Sequence, residues 1–106
     1  AVAFKKGLDI QPGNSEIYTN LGNMYVRLDQ YEEATNAFEN AVLFDPENSV
    51  SHNNLGVAQY QNGAYRDAVS SFQKAVDIAP QYQEAQNNLD AAKARVDPLE
   101  GLEIEI

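Results

Sequence analysis

The sequence predicts an all-α fold, a solenoid of antiparallel helix pairs. Three observations point there. Ser15–Asn48 and Ser49–Tyr82 superimpose without a gap, and ten of their 34 positions are identical: Ser15/Ser49, Asn20/Asn54, Leu21/Leu55, Gly22/Gly56, Tyr31/Tyr65, Ala34/Ala68, Phe38/Phe72, Ala41/Ala75, Val42/Val76 and Pro46/Pro80. Pro12, Pro46 and Pro80 recur at the same interval. Between these prolines, apolar residues fall at helical spacing. A fixed period of this length marks stacked supersecondary units, each too small to bury its apolar face alone.

Each element can be justified from its residues. Residues 1–11 carry Ala1, Val2, Phe4 and Leu8, which share a helical face, although Gly7 weakens the helix. Gln11-Pro12-Gly13-Asn14 then reads as a break. In residues 15–28, Ile17, Leu21, Met24, Tyr25 and Leu28 form one inward stripe, with Asn14 or Ser15 as the cap. Asp29-Gln30 is a short break, and Asp29 is a plausible N-cap for the next helix. Residues 31–44 form that helix, with Tyr31, Ala34, Phe38, Ala41 and Val42 inward and Glu32 and Glu33 at its positive end. Asp45-Pro46-Glu47-Asn48 ends it. Residues 49–62 place Leu55, Gly56 and Ala58 inward, and Asn62-Gly63 turns the chain. Residues 65–78 bury Tyr65, Ala68, Val69, Phe72, Ala75 and Val76, and Pro80 stops them. Loops this short join antiparallel neighbours. Residues 83–97 have one apolar stripe, Ala85, Leu89, Ala92 and Val96, and polar faces elsewhere, which suits the end of a stack. The tail 98–106 alternates Leu102, Ile104 and Ile106 with Glu103 and Glu105. It reads as a weakly ordered terminus, a linker or a short strand.

Composition narrows the chemistry. Sixteen acidic residues against seven basic ones give a formal charge of -9. Nucleic acid and anionic membranes reward clustered Lys and Arg, so a neutral to basic protein or peptide is the better-matched partner. There is no cysteine and one histidine, so disulfides, thiolate metal sites and multi-histidine metal sites are excluded, and no cofactor is expected. No apolar run is long enough for membrane insertion, and the start is not a signal peptide, so a cytoplasmic setting is the default expectation.

Leu-Gly, then Tyr, Ala, Phe, Ala and Pro at a period of 34 resembles the tetratricopeptide repeat. The residues are Leu21-Gly22, Tyr25, Ala34, Phe38, Ala41 and Pro46, then Leu55-Gly56, Ala68, Phe72, Ala75 and Pro80. His52 stands in the aromatic slot that Tyr18 fills, and Gln59 in that of Tyr25. The resemblance divides the chain into 1–14, the second helix of a truncated repeat; two full repeats, 15–48 and 49–82; a capping helix, 83–97; and the tail. Gly22 and Gly56 would let helix backbones approach, with Ala34 and Ala68 as the small partners opposite and Phe38 and Phe72 between units.

The resemblance implies a right-handed superhelix whose first helices line a concave groove for an extended peptide. Its groove positions are Glu16, Thr19, Asn20, Asn23, Val26 and Arg27; then Val50, Asn53, Asn54, Val57, Tyr60 and Gln61; then Glu84, Asn87, Asn88 and Ala91. Asn20, Asn54 and Asn88 recur in one slot, flanked by Thr19, Asn53 and Asn87, although Asn is a mediocre helix former. An Asn amide matches a peptide group in donors and acceptor, so this row could grip a peptide backbone. It is similar to the asparagine ladder of protein O-GlcNAc transferases. The alternative is that these Asn tie neighbouring helices together. The candidate peptide-binding residues are therefore Asn20, Asn23, Arg27, Asn53, Asn54, Tyr60, Asn87 and Asn88.

The two-carboxylate clamp of chaperone-binding members is matched at Asn23 and Asn54 only. Thr19, Glu84 and Asn88 stand where its cations belong, so no useful affinity for acidic chaperone tails is expected. His52 reads as a packed histidine, Glu32-Glu33 and Asp45/Glu47 as solvated helix-end charges, and Ser70-Ser71 lacks a recognisable base. The leading expectation is thus a non-enzymatic interaction scaffold. The runners-up are self-assembly through exposed repeat ends or the tail, and an accessory segment that recruits substrates to a larger enzyme.

Overall fold

The connections set this architecture. The computed structural model describes residues 12–96. They form α1 (Pro12–Arg27), α2 (Tyr31–Phe44), α3 (Ser49–Gln61), α4 (Tyr65–Ile78) and α5 (Gln83–Arg95), with no strand among the described residues. The turns after α1 and α3 are built alike. Asp29 and Gly63, one period apart, both take the left-handed conformation, at φ 60° and 86°. The Gln30 N–H reaches back to the Tyr25 carbonyl at 2.9 Å and the Asp29 N–H to Val26 at 3.0 Å. Ala64 to Gln59 at 2.8 Å and Gly63 to Tyr60 at 3.1 Å repeat the pattern. This is the Schellman closure, which satisfies the last helical carbonyls. Asp29 is therefore the residue that ends α1, and Gln30 is the N-cap of α2, without a side-chain cap bond. The α2–α3 connection is closed by Asn48, whose Oδ1 accepts from the Val50 and Ser51 N–H groups.

The helix in the first unit starts earlier than the turn residues suggest. Pro12 opens it, where a missing N–H costs nothing and a fixed φ is already helical. Ser15 is consequently not a cap. Its hydroxyl donates across to the Ala41 carbonyl on α2 at 3.3 Å. At the other end, α3 stops at Gln61 and α5 at Arg95.

The core sits between successive pairs. Ala34 and Phe38 of α2 pack with Leu55 and Ala58 of α3; Ala68 and Phe72 of α4 pack with Leu89 and Ala92 of α5. Among the described residues, Phe38 and Phe72 are the two large side chains buried completely, at 1% exposure. Their rings, not Ala34 and Ala68, lie opposite the glycines. A Cβ on Gly22 would stand 2.4 Å from a Phe38 ring carbon, and one on Gly56 2.6 Å from Phe72. The glycines make room for an aromatic ring against bare backbone, while Ala34 and Ala68 serve the seam to the next unit.

Three of the five residues of the stripe expected inward on α1 face outward. Ile17, Met24 and Leu28 are 62%, 41% and 57% exposed, whereas Ser51 and Ala58, one period after Ile17 and Met24, are 2% and 0% exposed. Those slots on α3 are covered by α2, and on α5 by α4. Among the described residues no helix precedes α1. Residues 1–11, expected to fill that place, and the tail 98–106 lie outside the described residues.

The contact predicts its own disruption. Gly56→Leu should destabilise the domain by about 3 kcal/mol through overpacking against Phe72. In urea unfolding, Gly56→Ala combined with Phe72→Leu should lose less than the sum of the single changes, because the smaller side chain vacates the space the Cβ needs. Strict additivity would refute the contact.

Candidate functional site

The candidate residues lie on α1, α3 and α5, and a hydrogen bond and a shared cavity join those of α3 to those of α5. Asn20, Asn23, Arg27 and Asn87 are exposed, Asn54, Asn88 and Tyr60 are half-buried, and Asn53 is buried.

The asparagines divide into two kinds. Asn53 is 2% exposed, and both halves of its amide are engaged. Its Oδ1 accepts from Asn88 Nδ2 at 3.0 Å, and its own Nδ2 donates to the Tyr82 hydroxyl at 3.3 Å. Here the asparagines do tie helices together, joining α3 to α5. One period earlier the corresponding pair is Thr19 and Asn54. Thr19 instead donates to the Ser15 carbonyl of its own helix at 2.9 Å, and Asn54 makes no side-chain hydrogen bond among the described residues. Asn87 Oδ1 accepts from Gln83 Nε2 at 3.1 Å, on the same helix.

A cavity of about 190 Å³ opens between α3 and α5, lined by Val57, Tyr60, Gln61, Phe72, Asn88 and Ala91. Five of these residues occupy groove positions read from the sequence, and Phe72 supplies the floor. The volume is below the roughly 300 Å³ at which small-molecule sites begin, so it suits a single side chain. Val57, Phe72 and Ala91 make its lining mainly apolar, and Tyr60, Gln61 and Asn88 are its residues with polar groups.

Beside it lies a feature the sequence reading missed. Arg95 Nη2 donates to the Tyr65 hydroxyl at 2.8 Å, and the guanidinium carbon sits 4.6 Å from the centre of that ring. Nη1 reaches the Tyr60 hydroxyl at 3.5 Å, and the two tyrosine rings meet edge-on at 5.2 Å. The period does carry a signal for it: Arg95 falls in the slot of Arg27 and Gln61, four residues beyond Ala91 at the end of α5. The part of Tyr82 could not be found this way, because it stands where Asn48 stands and does different work.

The other polar candidates are occupied structurally. His52 is buried, and its Nε2 lies 2.8 Å from the Pro46 carbonyl, an acceptor that requires the proton on that nitrogen. The Ser71 hydroxyl donates to Gln59 Oε1 at 2.6 Å, with both groups buried. This explains the departure at Gln59: Tyr25 and Ala37 hold the same two slots one unit earlier, so a large ring beside a methyl becomes an amide beside a hydroxyl. No group of three or more His, Cys, Asp or Glu suited to a metal occurs among the described residues, and none of their helices is long and apolar enough to cross a membrane.

Three family models match the sequence: two described as tetratricopeptide repeat, over residues 3–35 and 49–82, and one described as TPR repeat, over residues 22–63. No curated protein sequence matches the chain. Among solved structures, the first TPR of Spaghetti (RPAP3), bound to the HSP90 peptide SRMEEVD, is similar, with a TM-score of 0.80 and 24% identity over 89% of this chain and 75% of that one. The second TPR domain of human RPAP3, in complex with the HSP70 peptide SGPTIEEVD, is similar with a TM-score of 0.72 and 25% identity over 76% of this chain and 67% of that one.

The Asn53–Tyr82 bond gives a measurable expectation. Burial, and then the nearby Glu84 charge, push the Tyr82 phenol above its ordinary value of 10.0, while the Asn53 bond pulls it down. A raised acid stabilises the fold fully below its unfolded pKa, and that contribution is lost as pH climbs through the folded value. Tyr82→Phe leaves a buried amide N–H without its acceptor. It should cost about 1 kcal/mol at neutral pH and lessen the loss of stability above pH ~10, read by urea unfolding at both pH values.

Proposed function

Because the chain belongs to the tetratricopeptide repeat family, we propose that it is a protein-interaction module that holds an extended peptide along α1, α3 and α5. In this reading residues 15–48 and 49–82 act as two repeats, with residues 83–97 closing the stack. The observation that carries it is the face itself: the Asn54 amide makes no side-chain bond among the described residues, and beside it a side-chain-sized cavity opens between α3 and α5. Exposed Asn20, half-buried Asn54 and the outer part of Asn88 offer amides to a peptide backbone, and Asn23, Asn87 and Arg27 border them. Asn53 contributes by holding Asn88 in place rather than by touching the ligand. The similar domains that bind HSP90 and HSP70 peptides support a peptide as the ligand class. They do not extend to the same clamp, since Thr19, Glu84 and Asn88 occupy its cationic slots. The acidic surplus favours a segment that is neutral or basic overall. The role is binding, with no chemistry of its own.

Asn20→Ala with Asn54→Ala should weaken peptide binding about tenfold or more while leaving the unfolding midpoint nearly unchanged, since two backbone-directed hydrogen bonds are lost and no packing is disturbed. Isothermal titration and thermal unfolding on the same samples check both halves. Unaltered affinity would remove these residues from the groove.

A second reading rests on the outward stripe of α1. Ile17, Met24 and Leu28 make an apolar face of the kind that α2 covers on α3. Association of this face with another copy predicts a sedimentation coefficient that rises with concentration, and Met24→Glu should abolish the rise. A monomer at every concentration counts against it.

A further inference from the structure

Arg95 is out of keeping with the charge balance of the chain. In a protein with sixteen acidic and seven basic residues, a guanidinium would ordinarily find a carboxylate. Arg95 has none among the described residues; its partners are the Tyr60 and Tyr65 hydroxyls. Two of its five N–H donors are used on them. Stacking on Tyr65 fixes the plane of the group and removes much of the rotamer freedom an arginine usually loses on binding. Among the described residues, what remains is an oriented cation with donors to spare.

Its position supplies the second half. Tyr60 is shared: it lines the cavity between α3 and α5, and its hydroxyl meets Arg95. The guanidinium carbon lies 5.8 Å from the centre of this cavity-lining ring, so the cation stands one ring away from the cavity wall. In an extended peptide, residues i and i+2 point to the same side about 7 Å apart. A side chain seated in the cavity therefore brings the residue two positions away to Arg95. A neighbouring residue would point to the opposite side.

Building on the peptide-groove reading, we infer that the segment recognised by this chain carries an apolar residue of about leucine size for the Val57–Tyr60–Phe72–Ala91 cavity, and an aspartate or glutamate two positions from it for Arg95. The charge-assisted bond selects among peptides, and the Gln61 and Asn88 amides hold the main chain between the two anchors. A ligand that is neutral or basic overall, with one acid at this point, fits the acidic protein as a whole and its oriented cation together.

The test is selection from a library of random twelve-residue peptides displayed with their C-terminus fused, so that no terminal carboxylate is available. Baits are the wild-type chain, Arg95→Gln, Arg95→Lys, and Asn20→Ala/Asn54→Ala, with circular dichroism establishing that each is folded. Wild type should enrich an apolar residue with an acid at two positions' distance, and the acid should vanish from the Arg95→Gln pool while the apolar residue stays. Synthetic versions of a selected peptide, with Glu or Gln at the acidic position, should differ about fivefold in affinity for wild type, the effect of a well-oriented exposed ion pair, and not at all for Arg95→Gln. Arg95→Lys should retain the preference for the acid in weakened form, which separates charge from loss of tyrosine packing. An enriched motif without the acid, or one identical in the Arg95→Gln pool, overturns this assignment and leaves the groove standing if the double asparagine variant still abolishes enrichment. No enrichment by any bait overturns both. An acid preference seen only in peptides with a free terminal carboxylate would also overturn it, by assigning Arg95 to a chain end.

Discussion

The structure depends on an aromatic ring laid on bare backbone. Phe38 and Phe72 press against Gly22 and Gly56 so closely that no Cβ fits between, and this contact sets how near the two helices of a pair lie. The same rings are buried completely and face the next unit. One side chain therefore fixes the spacing within a pair and fills the seam between pairs. The floor of the cavity between α3 and α5 is Phe72 itself, so the packing of the stack and the shape of the groove come from the same residue.

Polar groups inside the stack refine what the rings establish. Ser71 with Gln59, His52 with the Pro46 carbonyl, and Ser15 with the Ala41 carbonyl each satisfy a buried donor while fixing how two segments meet. A buried hydrogen bond contributes little net stability but is costly to leave unmade, so such pairs select one arrangement among several of similar apolar content. Asn53 extends this to the groove: its amide holds Asn88 on one side and Tyr82 on the other, presenting the α5 asparagine in a fixed pose.

Much of this was legible in the sequence, because the determinants of a repeat are local and recur. The bounds of α2 and α4 followed from Tyr31, Tyr65 and the prolines, and both turns followed from Asp29-Gln30 and Asn62-Gly63. What escaped depended on contacts between elements. A stripe of Ile17, Leu21, Met24 and Leu28 has the spacing of a buried face, yet spacing does not say whether a neighbour is present to bury it. Pro12 breaks a helix when it falls inside one and starts a helix when it falls first, and local sequence alone did not distinguish these. In the candidate site, the period brought Asn20, Asn54 and Asn88 into one row. It gave no means of telling that buried Asn53 is spoken for, that Tyr82 is its partner, or that Arg95 rests on two tyrosines from other helices.

The Asn53–Asn88 bond makes the two halves of the groove unlike. With the longer Arg95–Tyr60 contact, it stitches α3 to α5 across the open side of the stack. The matching position between α1 and α3 has no stitch, because Thr19 is turned back onto its own helix. The α3–α5 seam is therefore tied by side-chain amides as well as by apolar packing, whereas among the described residues the α1–α3 seam has no such tie at the matching slot, so the two seams differ in how tightly their side-chain poses are specified.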